Sequence, residues 1–254
     1  MKNDIFNLKG KVAVITGGYR GIGKSVAMSL ADAGADIVLW DLIDATEVAN
    51  EIAKEYGVRA CAFVCDVTNP EQVTDTVNKS ADAMGTLDIL FNNAGIGPHT
   101  PALEITPEGW KKVLDVNVNG VFYVATAFAK YLISQNKGGS IINTASMSGL
   151  IVNIPQSHTH YNSSKAAVIQ MTKSLAIEWA DKNIRVNCIS PGYIATDMIK
   201  EVRQDWKDAW VSKIPFGRMG KPEELGGAVI YLASDASTYT SGSNIVIDGC
   251  YTVI

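Results

Sequence analysis

The chain has 254 residues, 47% of them apolar, and a formal net charge of −4; this composition suits a globular protein with a sizeable core and gives no basic footprint for a nucleic-acid partner. No apolar run reaches the about 18 residues of a membrane span, and the N-terminal Met-Lys-Asn-Asp-Ile-Phe-Asn-Leu-Lys-Gly lacks the apolar core of a signal peptide, so the cytoplasm is the expected location. Cys61, Cys65, Cys188 and Cys250 form no metal-ligand pattern and read as free thiols.

Lys11 to Thr16 is a short β-branched run, the signal of a buried strand. It passes straight into Gly17-Gly-Tyr19-Arg20-Gly21-Ile22-Gly23, and a helical pattern follows, stopped by Gly34. Strand, glycine loop and helix in that order bring backbone N–H groups and a helix N-terminus to a pyrophosphate, although the spacing here is G-x-x-x-G-x-G. The second strand, Asp36 to Trp40, ends on Asp41, 18 residues past Gly23. An acid at about 20 residues accepts hydrogen bonds from the adenine-ribose hydroxyls and repels a 2′-phosphate, which favours NAD(H). Arg20 pulls the other way, because a guanidinium pairs with such a phosphate; NADP(H) therefore stays open.

Glu47 to Tyr56 reads as a helix, Ala60 to Cys65 as a strand ended by Asp66-Val67, and Asn69-Pro70 as a helix start. Leu87 to Phe91 is the fourth strand and leads into Asn92-Asn93-Ala94-Gly95. A helix is expected from Thr106-Pro107 through Asn117 to about Ile133, then a strand from Ser140 to Ala145 that ends at Ser146-Met-Ser148-Gly149. Beyond a polar loop, Val152 to His160, lies the helix of Tyr161; Arg185 to Ser190 is a strand ending at Pro191-Gly192. A polar-aromatic segment around residues 194–216 holds Trp206 and Trp210, a helical apolar pair that reads as core or lid packing. Pro222 to Ala233 is the last helix and Asn244 to Asp248 the seventh strand. The stretch around Glu201 reads as a solvated charged face. Strands alternating with helices imply an α/β fold, a doubly wound parallel sheet with helices on both faces, and no composition break divides residues 1–254. The distinctive clusters all fall at carboxyl ends of strands, where such sheets bind ligands.

Tyr161 and Lys165 stand four apart on their helix, so phenol and ammonium lie on one face. A cation beside a tyrosine favours the phenolate and is expected to lower its pKa, which makes the pair a general acid/base.

These motifs together resemble the short-chain dehydrogenase/reductase family: Thr16 to Gly23, Asp66-Val67, Asn92 to Gly95, Asn117, Ser146, Tyr161-x-x-x-Lys165, and Pro191-Gly192 with Thr196. The resemblance covers nearly the whole chain. It implies a Rossmann-type sheet, a nicotinamide cofactor and a homotetramer. It also implies that Tyr161 is the acid/base, Ser146 holds the substrate oxygen, Lys165 binds the nicotinamide ribose, and Asn117 holds a relay water. Asp66 and Asn92 are similar to positions contacting adenine and ribose, and Ile194 and Thr196 to positions contacting carboxamide and phosphate. Ser146 and Tyr161 are 15 residues apart, a wider spacing than in many members. The extra loop, with Ser146 to Gly149, is similar to the sorbose reductases and the mannitol and other polyol dehydrogenases.

A hydride-accepting carbon whose oxygen touches Ser146 and Tyr161 leaves the rest of the substrate to the walls. These are expected from the Gly95 to Thr100 loop, Ser148 to His160, and Asp197 to Trp210. They offer His99, Ser148, Asn153, Gln156, Ser157, His158 and His160, with Met147, Met198 and two tryptophans as the bulky apolar groups. A substrate with several hydroxyls needs such partners, so a polyol or ketose is expected, with Gln156 and His158 as contacts. A 3-oxoacyl thioester, a small ketone and an inactive dinucleotide-sensing protein are the competing readings. His158 and His160 also suggest a two-histidine metal site, for which no third ligand is near in sequence, and no metal is expected. The helices from Pro107 and from Tyr161 carry more apolar surface than one sheet face needs, which points to a second subunit.

Overall fold

Val12–Thr16 (β1) is buried along its whole length, because successive side chains serve two cores. Ala13 and Ile15 face one apolar cluster while Val12 and Val14 face the other. A strand buried on both faces has no polar alternation to show, which is why it reads as a continuous apolar run. In the computed structural model, which describes residues 4–200 and 202–253, seven parallel strands form one sheet in the order β3-β2-β1-β4-β5-β6-β7. The strands are β1, Asp36–Asp41 (β2), Ala60–Val64 (β3), Ile89–Asn92 (β4), Gly139–Thr144 (β5), Ile184–Pro191 (β6) and Asn244–Ile247 (β7). The sheet order reverses between β1 and β4, which opens a crevice at their carboxyl ends.

Gly21–Asp32 (α1), Thr46–Tyr56 (α2) and Pro70–Met84 (α3) flank the first strands. The Asn69 side chain caps α3 by accepting from the N–H groups of Glu71 and Gln72, as the Asn-Pro pair predicts. Pro107–Leu114 (α4) and Val121–Ser134 (α5) occupy the stretch expected as one helix. They are joined without a break by a π-helical turn, Asp115–Gly120, which widens the helix at Asn117. The next helix, Thr159–Glu178 (α6), starts two residues before Tyr161. The region near 194–216 forms two short helices, Asp197–Lys200 (α7) and Gln204–Val211 (α8). The expected last helix divides into a tight turn over Pro222–Leu225 and Gly226–Ala233 (α9). That turn is held by Glu224, whose carboxylate accepts from Lys221 N at 2.7 Å and pairs with Arg218. Among the described residues no helix is long and apolar enough to cross a membrane.

Candidate active site

The glycine loop leaves the end of β1 and turns back at once. Gly17 and Gly21 hold φ of +66° and +60°, the left-handed region that suits glycine. A Cβ on Gly23 would run into the Gly17 carbonyl, so α1 meets the loop only without a side chain there. Gly17 N and Gly18 N donate to Trp40 O at 2.8 and 3.2 Å, tying the loop to β2. At the start of α1, Arg20 makes no side-chain cap and the first turn has no acid. The orphan N–H groups and positive helix end therefore face outward, toward where a pyrophosphate would lie. Tyr19 N donates to Asp41 Oδ2 at 3.0 Å, which sets the carboxylate at the rim of this cradle. Tyr19 and Arg20 are exposed and Ile22 is half-buried.

Asp66 closes a turn by accepting from Thr68 N and Oγ1 at 2.9 and 2.8 Å, and Val67 beside it is buried. Thr16 Oγ1 accepts from Asn93 N and Ala94 N at 2.8 and 2.9 Å. Asn93 Nδ2 returns a bond to Thr16 O at 3.1 Å, and Asn92 Nδ2 binds Val121 O at 2.8 Å. The Asn92 to Gly95 turn is thus pinned to the carboxyl end of β1. Beyond β6, Gly192 N donates to Ile247 O at 2.9 Å and Ile194 pairs with Gly220, which fixes the chain from Pro191 to Thr196 across the crevice.

The four expected catalytic residues come together from three elements. Asn117 is fully buried on the π turn; its amide accepts from Ile96 N at 2.9 Å and donates to Ile96 O and Ser164 Oγ at 2.8 and 3.0 Å. Asn117, the residue expected to hold a relay water, braces the Gly95–Ile96 loop against α6 with its side chain. Ser146 leaves the end of β5 with its hydroxyl beside the Tyr161 phenol. Lys165 is buried, donates to Thr144 O at 2.7 Å, and lies 5.6 Å from the centre of the Tyr161 ring. A Cβ on Gly95 would stand 3.6 Å from Lys165 Nζ and 3.2 Å from Asn117 Oδ1, so a glycine keeps the space before the lysine clear.

The expected lowering of the tyrosine pKa is corrected here. Burial pushes the Tyr161 phenol up, and only the hydrogen bond with Ser146 pulls it down. Burial also brings Lys165 down to about 8. Adjacency on a helix places the two groups together, but desolvation disfavours the charged form of both.

On the substrate side, Gln156 departs from its expected role. Its Nε2 donates to the Tyr193 hydroxyl at 2.8 Å and its Oε1 accepts from Trp210 Nε1 at 2.7 Å, so both ends are engaged within the protein. Ser148 and Asn153 are likewise joined to each other, at 2.6 Å. His158 is different: its Nε2 is buried and has no hydrogen-bond partner. Its ring meets Tyr161 edge-on at 4.9 Å and packs on His99 at 4.1 Å. Burial first, then His99 and His160, hold it down to about 3, so it is neutral. His160 lies inside α6 rather than on an extended strand, and its Nδ1 accepts from Tyr161 N at 3.0 Å. The two histidines do not converge as metal ligands, and among the described residues no group of three metal-binding side chains occurs. Trp210 is buried and stacks on Tyr193 at 4.4 Å, while Trp206 meets His99 edge-on at 5.3 Å, so each packs against a neighbouring ring. Met147 packs with Ile214 and Tyr251. The Met198 side chain and Glu201 lie outside the described residues. Tyr193 was not singled out from the sequence, although its place just after Pro191-Gly192, at the carboxyl end of a strand, is the signal that marks it.

A family model described as enoyl-(acyl carrier protein) reductase matches residues 17–252. The chain is 47% identical over 253 residues to the sorbose reductase of Candida albicans, covering 98% of this chain and 89% of that one. It is 48% identical over 250 residues to the probable NADP-dependent mannitol dehydrogenase of Yarrowia lipolytica, covering 97% and 89%. Among solved structures it is similar to a short-chain type dehydrogenase/reductase from Mycobacterium marinum, with TM-score 0.96, 47% identity and 99% of each chain covered.

Proposed function

The chain belongs to the short-chain dehydrogenase/reductase family, and from that premise we propose that it interconverts a secondary alcohol and a ketone on a polyol or ketose, with NAD(H) as the preferred cofactor. One observation carries the reading: Tyr161, with Ser146 beside it, stands next to buried Lys165, under a wall that holds the unpartnered Nε2 of His158. A buried polar atom without a partner is costly, and a substrate hydroxyl would satisfy it.

The residues present fit a dinucleotide. The open N-terminus of α1 and the loop around Gly23 would hold the pyrophosphate, Asp41 the adenine ribose, and Lys165 the nicotinamide ribose. When bound, the nicotinamide supplies or accepts the hydride. Ser146 and Tyr161 grip the substrate oxygen, and Tyr161 hands its proton to that oxygen in ketone reduction. Because burial keeps the phenol protonated, the site stands ready as an acid; alcohol oxidation needs the phenolate and gains as pH rises. Asn117 and Thr144 hold the loop and the lysine in register. Asp41 supports NAD(H), whereas the Yarrowia lipolytica relative is described as NADP-dependent; exposed Arg20 is the residue that would favour NADP(H).

Residues 1–254 act as one catalytic unit with the 194–216 segment as lid. Phe122 on α5 and Ile177 on α6 are exposed apolar residues, 43% and 81%, and support a homotetramer that buries them; light scattering at micromolar concentration tests it, and a monomer would refute it. The four cysteines, none of them in a disulfide, suit a cytoplasmic enzyme. The decisive experiment is NADH oxidation and NAD reduction over a panel of ketoses, polyols, apolar ketones and acetoacetyl thioesters. The highest kcat/KM is expected on a ketose or polyol; a higher value on an apolar ketone or a thioester would sink the substrate reading.

A further inference from the structure

The substrate loop, the lid and the chain beyond β6 meet at one hydroxyl. Tyr193 follows Pro191-Gly192, and its own backbone is fixed, since Gly220 N donates to its carbonyl at 2.9 Å. Its hydroxyl accepts from Gln156 Nε2 at 2.8 Å and Asn153 Nδ2 at 3.3 Å, both on the loop that follows Ser146. The ring stacks nearly parallel on Trp210, 4.4 Å away and tilted by 11°, and Trp210 Nε1 donates to Gln156 Oε1 at 2.7 Å. On the other side Asn153 Oδ1 accepts from Ser148 Oγ at 2.6 Å, and Ser148 N donates to Ser146 Oγ at 3.1 Å. Hydrogen bonds therefore run without a gap from the serine that grips the substrate oxygen to the tryptophan of the lid. Every side chain in this run is at least partly buried, and Asn153, Gln156 and Trp210 are 2%, 7% and 2% exposed.

We propose that Tyr193 is a positioning residue, whose hydroxyl locks the substrate loop and the lid helix α8 to the anchored chain beyond β6 so that the pocket wall is preformed for substrate. The physical case is one of satisfaction. Two buried amide nitrogens donate to a single oxygen, and removing that oxygen deprives both of that acceptor, which costs more than the loss of an ordinary hydrogen bond. Tyr193 touches neither Tyr161 nor Lys165 through the contacts described, so it acts through Gln156, Asn153 and Trp210. The proposal goes beyond the assigned reaction and rests on it only for the kinetic half of its test.

Tyr193→Phe keeps the ring and its stack on Trp210 and removes the oxygen. The expected result is a KM for the best ketose raised by about tenfold, the worth of a buried hydrogen bond, with kcat changed less than about threefold and NADH affinity unchanged. Trypsin is expected to cleave faster at Lys207 or Lys213, in and beside α8, a readout that needs no substrate and so separates failure of the lock from failure of the substrate reading. Trp210→Phe, which removes the Nε1 donor and leaves a smaller ring against Tyr193, is expected to move KM and cleavage in the same direction. The double variant should lose less than the sum of the two single changes, because coupled groups are not additive. Parental KM and cleavage in Tyr193→Phe, or fully additive losses, would overturn the proposal. If Tyr193→Phe does not fold, Trp210→Phe decides: raised KM with faster cleavage supports the lock, and parental values refute it.

Discussion

The two halves of the crevice are built from different materials. On the cofactor side, around β1 and β2, the site is backbone: glycine turns, open N–H groups at α1, and one carboxylate set in place by an amide. On the substrate side, the wall is side chains that satisfy one another: Ser148, Asn153, Gln156, Tyr193 and Trp210, with His158 left over. A backbone site recognises what every dinucleotide shares, and its tolerance for change is set by sterics. A side-chain site recognises a particular ligand, and it can be altered one hydrogen bond at a time. Substitutions on the first side should therefore act on cofactor binding as a whole, and those on the second should act on substrate terms.

The two sides meet at Tyr161, and the largest effect is expected there. Tyr161→Phe should lower kcat by at least about 10²-fold, the usual scale of acid/base help, while NADH still binds with parental affinity in a fluorescence titration. Near-normal turnover would remove Tyr161 from the chemistry.

Gly23→Ala tests the backbone side. Its Cβ would collide with the Gly17 carbonyl, and overpacking of this kind costs about 1–3 kcal/mol. NADH affinity is expected to fall by about tenfold or more, with KM for the sugar little changed at saturating cofactor. A substitution that weakened only sugar binding would erase the distinction between the two sides.

Asp41→Ser removes the repulsion toward a 2′-phosphate and should shift the ratio of kcat/KM for NADP over NAD upward by about tenfold. A parent enzyme that already prefers NADP would show that Arg20 outweighs Asp41.

The smallest effect concerns stability. Lys165 titrates at about 8 in the fold against 10.5 ordinarily, because burial disfavours its charge. Between those values the unfolded chain binds more protons, so this residue makes stability rise with pH across that window, and its full cost is present below it. Lys165→Met should therefore raise Tm at neutral pH by a few degrees, at about 2–4 °C per kcal/mol for a chain of this size, while abolishing turnover. The gain should shrink as pH climbs through the window. A lower Tm at neutral pH would mean that the bond to the Thr144 carbonyl outweighs the buried charge.

The sequence by itself determined the elements whose causes are local. β1 is legible because a strand covered on both faces must be apolar throughout, and the glycine loop because left-handed turns exclude side chains. The alternation of strands and helices then dictates a parallel sheet, and the sheet places Asp41, Asn93, Ser146 and Pro191 along its one carboxyl edge. Spacing also placed Tyr161 and Lys165 on one face of α6. What only the tertiary structure decided depends on groups far apart in the chain. Burial, which no local spacing reports, raised the tyrosine rather than lowering it. The π turn at Asn117 lies inside a pattern that reads as plain helix, because the segments on either side of it are helical and nothing in the residues between marks the change. Gln156 and His158 stand two residues apart and read alike as polar loop residues. Tyr193, 37 residues beyond Gln156, takes up the one amide and leaves the imidazole unpaired. A side chain's free hydrogen-bonding capacity is set by its neighbours in space, and for a substrate wall those neighbours come from distant parts of the chain.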